Sequence, residues 1–132
     1  MKYGVINENH LFVKCYNKGK KVVTKRVVVF VLEDKHARFL QKSHPERKKI
    51  NRVGISVTKK LGTAVARNRA KRIIREAWRQ ITKSYELESG KLVVITAREA
   101  TAEAKTDDVF KDLAYAAHRL GLILKKHDEK SD

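Results

Sequence analysis

The chain has 132 residues, with 31 lysines and arginines against 15 aspartates and glutamates, and a formal net charge of +16 at pH 7. This length corresponds to one domain with a single modest core. So large a positive charge indicates a polyanionic partner, with nucleic acid first and an anionic membrane surface second.

The membrane alternative is the weaker one. The longest apolar run, VVVFVL at residues 27–32, is far shorter than the roughly 20 residues of a membrane-spanning helix. The N-terminus lacks the continuous apolar core of a secretory signal. Cys15 is the only cysteine, which excludes an intrachain disulfide. We therefore expect a cytoplasmic protein with no membrane partner.

The first half of the chain predicts one helix and three strands. Apolar residues at helical spacing after Asn7, with Gly19 at the stop, predict a short helix. Valine-rich sequence predicts a short strand near Val22 and a longer one over residues 27–33. Residues 34–51 are polar and show no sustained period, so we expect a long polar loop with room for a helical turn around residues 37–41. Alternating apolar residues over 52–58 predict the third strand.

The second half predicts a basic helix, a strand and a final helix. The basic helix follows residue 58, the strand covers residues 90–98, and the final helix runs from Asp107 to about residue 124 with Thr106 as its N-cap. A strand, a helix and a strand in this order indicate a parallel crossover unit. We therefore expect a single domain over residues 1–124, followed by a charged flexible tail at 125–132.

The basic helix separates into two faces when it is wound at about 100° per residue. One arc is apolar and is expected to pack on the sheet: Ala66, Ala70, Ile73, Ile74, Ala77, Trp78 and Ile81. The other arc is cationic and polar: Arg67, Asn68, Lys71, Arg72, Arg75 and Arg79.

The cationic arc has two interpretations, a solvated face or a surface that binds a polyanion. Like charges four residues apart weaken a helix by a few tenths of a kcal/mol, and Arg67, Lys71 and Arg75 follow one another at this spacing. Without a partner this face destabilises its own helix, which favours polyanion binding. Lys59 and Lys60 precede the helix, whose first N–H groups also attract phosphate.

These residues also carry a family resemblance. The stretch RVGISVTKKLGTAVARNRAKRIIREAWR, residues 52–79, resembles the signature of the protein subunit of bacterial ribonuclease P. The matching features are the Lys-Lys pair, Gly62, the Arg-Asn-Arg sequence from Arg67, and the Lys-Arg-x-x-Arg-Glu continuation from Lys71. The resemblance covers nearly the whole chain except residues 34–51 and the tail.

The resemblance implies an α+β sandwich of order αβββαβα, with a four-stranded mixed sheet and a left-handed crossover through the basic helix. General rules alone would have predicted a right-handed crossover. The resemblance also implies that the chain joins a catalytic RNA, the ribonuclease P RNA, which removes the 5′ leader of precursor tRNA. Catalysis then belongs to the RNA and its Mg²⁺ ions, and the protein itself binds no cofactor and no small-molecule substrate.

The resemblance further implies two sets of site residues. Contacts to the RNA subunit are expected from Arg67, Asn68, Arg69, Lys71, Arg72 and Arg75. A cleft for the single-stranded leader is expected from Phe12, Tyr16, Val28, Phe30, Lys59, Lys60 and Arg98. Aromatic platforms in a positive groove are the usual way to hold a single strand without sequence preference, although Phe12 and Tyr16 judged alone also fit a core.

The sequence offers no catalytic or metal site of its own. The histidines are scattered without metal-ligand spacing, and no nucleophile lies in a pattern with a base. Two rivals to the ribonucleoprotein subunit remain: a binding module of ribosomal type, and, more weakly, a nuclease that acts alone.

Overall fold

A computed structural model describes residues 4–44 and 50–126. The helices are α1 (Asn9–Lys18), α2 (Lys35–Ser43), α3 (Ala64–Ser84) and α4 (Thr106–Arg119). The strands are β1 (Gly4–Val5), β2 (Lys20–Val23), β3 (Val27–Glu33), β4 (Arg52–Ser56), β5 (Tyr85–Leu87), β6 (Lys91–Ala97) and β7 (Ile123–Lys126). Short 3-10 turns occupy Lys59–Leu61 and Glu99–Glu103.

The main sheet is mixed and has the strand order β1-β4-β6-β3-β2. Strand β6 pairs in parallel with β4 and antiparallel with β3, which confirms the α+β class with a mixed sheet. The described sheet has five strands rather than the expected four, because Gly4 and Val5 pair in parallel with Arg52 and Val53. Two residues are too few to show a period in the sequence. The left-handed sense of the β4–α3–β6 connection stays a prediction.

Alternation along the strands places a helical layer on each face of the sheet. Val27, Val29 and Val31 of β3 belong to the buried cluster that includes α3 and α4. Phe30 and Leu32, on the other face, pack against a second cluster formed with α1, which contains Cys15. Burial raises the pKa of the Cys15 thiol, so this cysteine is a neutral core residue.

The stretch expected to be a long polar loop contains helix α2, so that prediction was wrong for residues 35–43. Asp34 starts this helix, because its carboxylate accepts hydrogen bonds from the backbone N–H groups of His36 and Ala37 at 3.1 and 3.4 Å. The Arg52 guanidinium donates two hydrogen bonds to the same carboxylate, from Nε at 2.7 Å and from Nη2 at 3.0 Å. Asp34 is buried, and its hydrogen bonds connect the start of α2 to β4. Residues 45–49 lie outside the described part.

Replacement of Asp34 by asparagine is expected to lower the free energy of unfolding at neutral pH by about 3 kcal/mol, because a partly buried arginine loses its charged partner. Burial raises the pKa of Asp34, but the hydrogen bonds and charge of Arg52 and the N–H groups of Ala37 and His36 outweigh burial and hold it below the ordinary value. The carboxylate therefore stabilises the fold above about pH 4, and this contribution is lost as the pH falls through the lower folded-state pKa.

Denaturant unfolding across pH 2–7 measures both effects. The variant should show a flatter loss of stability below about pH 4 than the parent. Asp107→Asn, on an exposed residue of α4, is the control. Equal effects of the two substitutions would contradict the role given to Asp34.

The C-terminal part differs from expectation in three places. Helix α4 ends at Arg119 rather than near residue 124, because the chain turns back and the Leu122 N–H donates to the Ala117 carbonyl. Thr106 is the first helical residue and not the N-cap. A flexible tail was expected from residue 125 onward, but residues 125–126 belong to β7, which pairs with β5. Residues 127–132 lie outside the described part.

Candidate nucleic-acid interface

The segment that leads into α3 is a tight turn with two exposed lysines. Lys59 and Lys60 lie in the first 3-10 turn, after the end of β4. Gly62 follows with φ of 133° and ψ of −147°, a conformation that is essentially restricted to glycine. The Thr63 hydroxyl accepts from the Ala66 N–H and caps the helix. Gly62, one of the features that carry the family resemblance, thus forms the turn into the helix, and α3 begins at Ala64.

The two faces predicted for the basic helix are present in α3. Its buried residues are Ala70, Ile73, Ile74, Ala77, Trp78, Ile81 and Thr82. Its polar arc is exposed at Asn68, Arg72 and Arg75 and half-buried at Arg67 and Lys71. The apolar stripe therefore packs on the sheet, while Asn68, Arg72 and Arg75 are open to solvent.

The cations of α3 are not equivalent, because one is offset by an acid. Arg79 Nε donates to Glu76 Oε2 at 2.9 Å, and this hydrogen bond lowers the pKa of Glu76. By contrast, within residues 4–44 and 50–126 no acidic partner is found for Arg67, Lys71, Arg72 or Arg75. We call these four residues the basic face.

Arg69 has a structural connection in addition to its expected contact role. Its guanidinium donates to the carbonyl oxygens of Ala102 and Ala104, the latter at 3.0 Å. These carbonyls lie at the end of the Glu99–Glu103 turn. Arg69 therefore fastens the segment between β6 and α4 onto α3. The family resemblance grouped Arg69 with the RNA contacts, and the sequence does not show which arginine bonds to the protein itself.

Replacement of Arg69 by alanine is expected to lower the free energy of unfolding by about 2 kcal/mol, because two hydrogen bonds from a charged donor are lost. Thermal and denaturant unfolding of the purified protein measure this. Arg72→Ala is the matched control, since Arg72 is exposed on the same helix. Equal stabilities of the two variants would contradict the fastening role.

Three aromatic rings meet on the α1 face of the sheet. The ring centroids of Tyr16 and Phe30 are 5.0 Å apart in an edge-to-face arrangement, and those of Phe12 and Tyr16 are 6.5 Å apart. Tyr16 is 39% exposed, whereas Phe12 and Phe30 are half-buried. We call Phe12, Tyr16 and Phe30 the aromatic cluster. The structure thus brings together three residues that the family resemblance assigned to a cleft, and Tyr16 is the most exposed of the three rings.

Gly54 allows the aromatic cluster to lie directly on the sheet. A β-carbon built on Gly54 would stand 2.6 Å from Cζ and 2.8 Å from Cε1 of Phe12. The Phe12 ring therefore covers the backbone of β4 where no side chain projects. The sequence carries a signal for this contact, because a glycine inside a strand often marks a close approach of another group.

Substitution of Gly54 by alanine is expected to displace the Phe12 ring and to lower the free energy of unfolding by about 1–3 kcal/mol through overpacking. Gly4→Ala is the control, because the nearest atoms to its new β-carbon would be Arg52 Cγ at 3.2 Å and Ile50 Cδ1 at 3.6 Å, which is a looser fit than at Gly54. Unfolding measurements and the ring resonances of Phe12 report the two changes. An unmoved ring in a stable Gly54→Ala protein would contradict the close contact.

The remaining predicted cleft residues lie toward one end of the sheet. Val28 pairs with Thr96 near the end of β6, and Arg98 follows that strand. Lys59 and Lys60 follow β4, which is parallel to β6, so they lie at the same end. The Arg98 guanidinium donates to the Thr24 carbonyl, which directs it toward the segment before β3.

Two further results concern ligands of other kinds. Among the described residues, no group of three His, Cys, Asp or Glu side chains is placed to hold a metal ion. No described helix combines the length and apolar content needed to cross a membrane.

Comparison with known protein families identifies the family of this chain. The family model Ribonuclease P matches residues 2–121 of the chain. The chain belongs to the ribonuclease P protein family. It is a component of the endoribonuclease that matures the 5′ ends of tRNA.

Individual family members support this over nearly the full length. The ribonuclease P protein component of Bacillus cereus strain Q1 is 35% identical over 117 residues, which are 89% of this chain and 90% of that protein. The one from Clostridium acetobutylicum is 34% identical over 131 residues, or 99% and 98% of the two chains.

Solved structures agree with the fold. The Staphylococcus aureus RNase P protein superposes with a TM-score of 0.71 at 28% identity and covers 92% of this chain and 99% of its own. The Thermotoga maritima RNase P protein, at 22% identity and a TM-score of 0.64, matches over 84% of this chain and 92% of its own and supports the fold alone.

Proposed function

We propose that the chain binds the catalytic RNA of ribonuclease P through α3 and holds the 5′ leader of precursor tRNA against the α1 face of the sheet. The observation that carries this proposal is the separation of two surfaces of different chemistry. The basic face lies on the helix that packs on one face of the sheet, and the aromatic cluster lies on the other. The protein can therefore contact two RNA strands at once, one on each side of the sheet.

The RNA subunit is held mainly by charge. Arg67, Arg72 and Arg75 offer guanidinium groups, which suit two-pronged contacts to phosphate, and Lys71 adds a point charge. Asn68 is exposed among them and can donate to a phosphate or ribose oxygen. Arg69 contributes by positioning, since its guanidinium bonds to the protein backbone, and its own RNA contact stays a prediction.

The leader is held by stacking and by a second group of cations. Tyr16 presents an exposed ring supported from the side by Phe30, and each stacked base contributes about 1–3 kcal/mol with little sequence preference. Val28 extends this surface toward the end of the sheet where Lys59, Lys60 and Arg98 lie. In this proposal, these cations contact the phosphates of a strand that runs along the cleft.

The chemical step belongs to the RNA and its Mg²⁺ ions in this proposal. The protein offsets phosphate repulsion between RNA and substrate, so the assembly needs less Mg²⁺, and it raises affinity for precursor over mature tRNA. The partners are ribonuclease P RNA and precursor tRNA, and the place of action is the cytoplasm.

The test is 5′ processing of precursor tRNA by a bacterial ribonuclease P RNA at low Mg²⁺, with and without the protein. We expect strong stimulation and no cleavage by the protein alone. Absence of stimulation would overturn the proposal. Cleavage without the RNA subunit would instead support a nuclease that acts alone.

A further inference from the structure

Helix α2 presents an exposed aromatic ring between two lysines, and the functional assignment above does not use this surface. Lys35, Phe39 and Lys42 are spaced four and three residues apart, so they lie within about 60° of one another around the helix. Phe39 is 64% exposed, and both lysines are exposed. Ala37 and Gln41, on the opposite side of the helix, are half-buried. We call Lys35, Phe39 and Lys42 the α2 face.

The positive charge of the α2 face is not offset within the protein. Helix α2 contains no acidic residue. In the part of the chain that the structure describes, neither Lys35 nor Lys42 has an acidic partner. Asp34, which directly precedes the helix, is buried and already bound by Arg52. The charge of this face therefore indicates an anionic partner from outside the chain.

Contacts at its first turn fix α2 to the sheet. The Asp34 carboxylate accepts two backbone N–H groups of the helix and is bound by Arg52 of β4. The backbone N–H of Asp34 also donates to the Gly90 carbonyl, just before β6, at 3.0 Å. The helix therefore holds Phe39 at a defined position, which reduces the ordering entropy that a partner must overcome to bind there.

The α2 face is remote from the basic face. Helix α2 connects β3 to β4, so it lies at the end of the sheet where the parallel strands β4 and β6 begin. Helix α3 begins at the other end, after β4 has finished, and the basic face lies in its first half. Strands of five and seven residues separate the two ends by roughly 20 Å. A partner that contacts both faces must therefore extend along the sheet.

An aromatic ring flanked by cations suits a single strand of nucleic acid. An unstacked base can stack on the Phe39 ring while neighbouring phosphates contact the two lysines. An apolar partner would instead desolvate both ammonium groups without supplying a counter-charge. A second copy of this chain, which carries a net charge of +16, is a poor partner for the same reason. The chemistry of the face therefore favours RNA.

We propose that the α2 face is a second contact site for the catalytic RNA, with an unstacked base on Phe39 and phosphates on Lys35 and Lys42. The inference rests on the proposed function, in which the protein favours precursor over mature tRNA. A contact with the body of tRNA would raise both affinities equally and add nothing to that preference. A second contact with the RNA subunit strengthens the assembly instead, because both sites then bind one molecule.

Three substitutions of Phe39 test the stacking contact in the full-length protein. Phe39→Ala should weaken binding of the ribonuclease P RNA roughly tenfold, as expected for one lost base stack. Phe39→Leu keeps an apolar side chain and should weaken binding similarly, whereas Phe39→Tyr keeps a ring and should bind as the parent does. Tyr115→Ala, which removes an exposed ring from α4, is the control and should also bind normally. Parental affinity of Phe39→Leu would overturn the proposal, because an apolar contact would then be sufficient.

The dependence of RNA binding on salt tests the two lysines separately. Lys35→Ala combined with Lys42→Ala should reduce the slope of log affinity against log salt by about 1.5, as expected for two lost phosphate contacts. Lys111→Ala combined with Arg119→Ala removes the same charge from exposed positions of α4 and should keep nearly the parental slope. Equal slopes of the two double variants would overturn the proposal.

The outcomes separate this proposal from the proposed function and from other partners. If the parent protein fails to stimulate the catalytic RNA, the proposed function is wrong. If Arg67→Ala with Arg72→Ala weakens RNA binding but Phe39→Ala does not, only the α2 proposal is overturned. It is also overturned if Phe39→Ala spares RNA binding and weakens tRNA binding to the preformed holoenzyme, or changes only the oligomeric state of the free protein.

Discussion

Combined replacement of Arg67 and Arg72 by alanine is expected to weaken binding of the catalytic RNA by at least about tenfold and to flatten its dependence on salt. Each phosphate that a cation neutralises releases counterions and adds roughly 0.7–0.9 to the slope of log affinity against log salt. Loss of two contacts should therefore reduce the slope by about 1.5. Dissociation constants at several KCl concentrations and constant Mg²⁺ measure both quantities.

The control for this pair removes the same charge elsewhere. Lys111 and Arg119 are exposed on α4, and their combined replacement by alanine lowers the net charge by the same amount. If binding depends on the basic face, this control should keep nearly the parental slope. An equal loss of slope in both double variants would mean that only net charge matters, and the assignment of α3 would be wrong.

Replacement of Tyr16 by alanine is expected to reduce holoenzyme affinity for leader-bearing precursor about tenfold and to leave mature tRNA binding unchanged. A base stacked on one ring contributes about 1–3 kcal/mol, which corresponds to roughly 5- to 150-fold in affinity. Tyr16 is the sharper choice over Phe12, because Phe12 packs against Gly54 and its loss would also disturb the fold. Binding of the two RNAs under identical salt and Mg²⁺ gives the comparison.

Tyr115 supplies the matched control for Tyr16. It is a tyrosine that is 54% exposed on α4, which packs on the opposite face of the sheet. Tyr115→Ala should leave both affinities as they are. If Tyr16→Ala weakened precursor and mature tRNA equally, the ring would not contact the leader.

The sequence was a good guide wherever periodicity fixed which side of an element is buried. The buried stripe of α3 was predicted nearly residue by residue, because an amphipathic helix shows its period over many turns. In β3 nearly every residue is apolar, so no period separated its faces. Only the packing of the structure shows that Val29 and Val31 face α3 and α4 while Phe30 faces α1.

The sequence was a poor guide wherever a single long-range contact decides the structure. Helix α2 depends on Asp34, whose partner Arg52 is 18 residues away and not evident from local pattern. Arg69 resembles the other arginines of α3 until its bonds to Ala102 and Ala104 are seen. The site residues themselves were assigned by resemblance, and the structure adds which of them have side chains free to bind.

The central position of β6 has a consequence for the spacing between the two proposed RNA-binding surfaces. The strand pairs along both edges, with β4 and β3, and Val93, Val94 and Ile95 are buried on its two faces. Its pairing along both edges fixes β6 in the sheet between the α1 layer and the layer of α3 and α4. In the proposed assembly, the sheet would then set how far the leader strand lies from the RNA bound on α3.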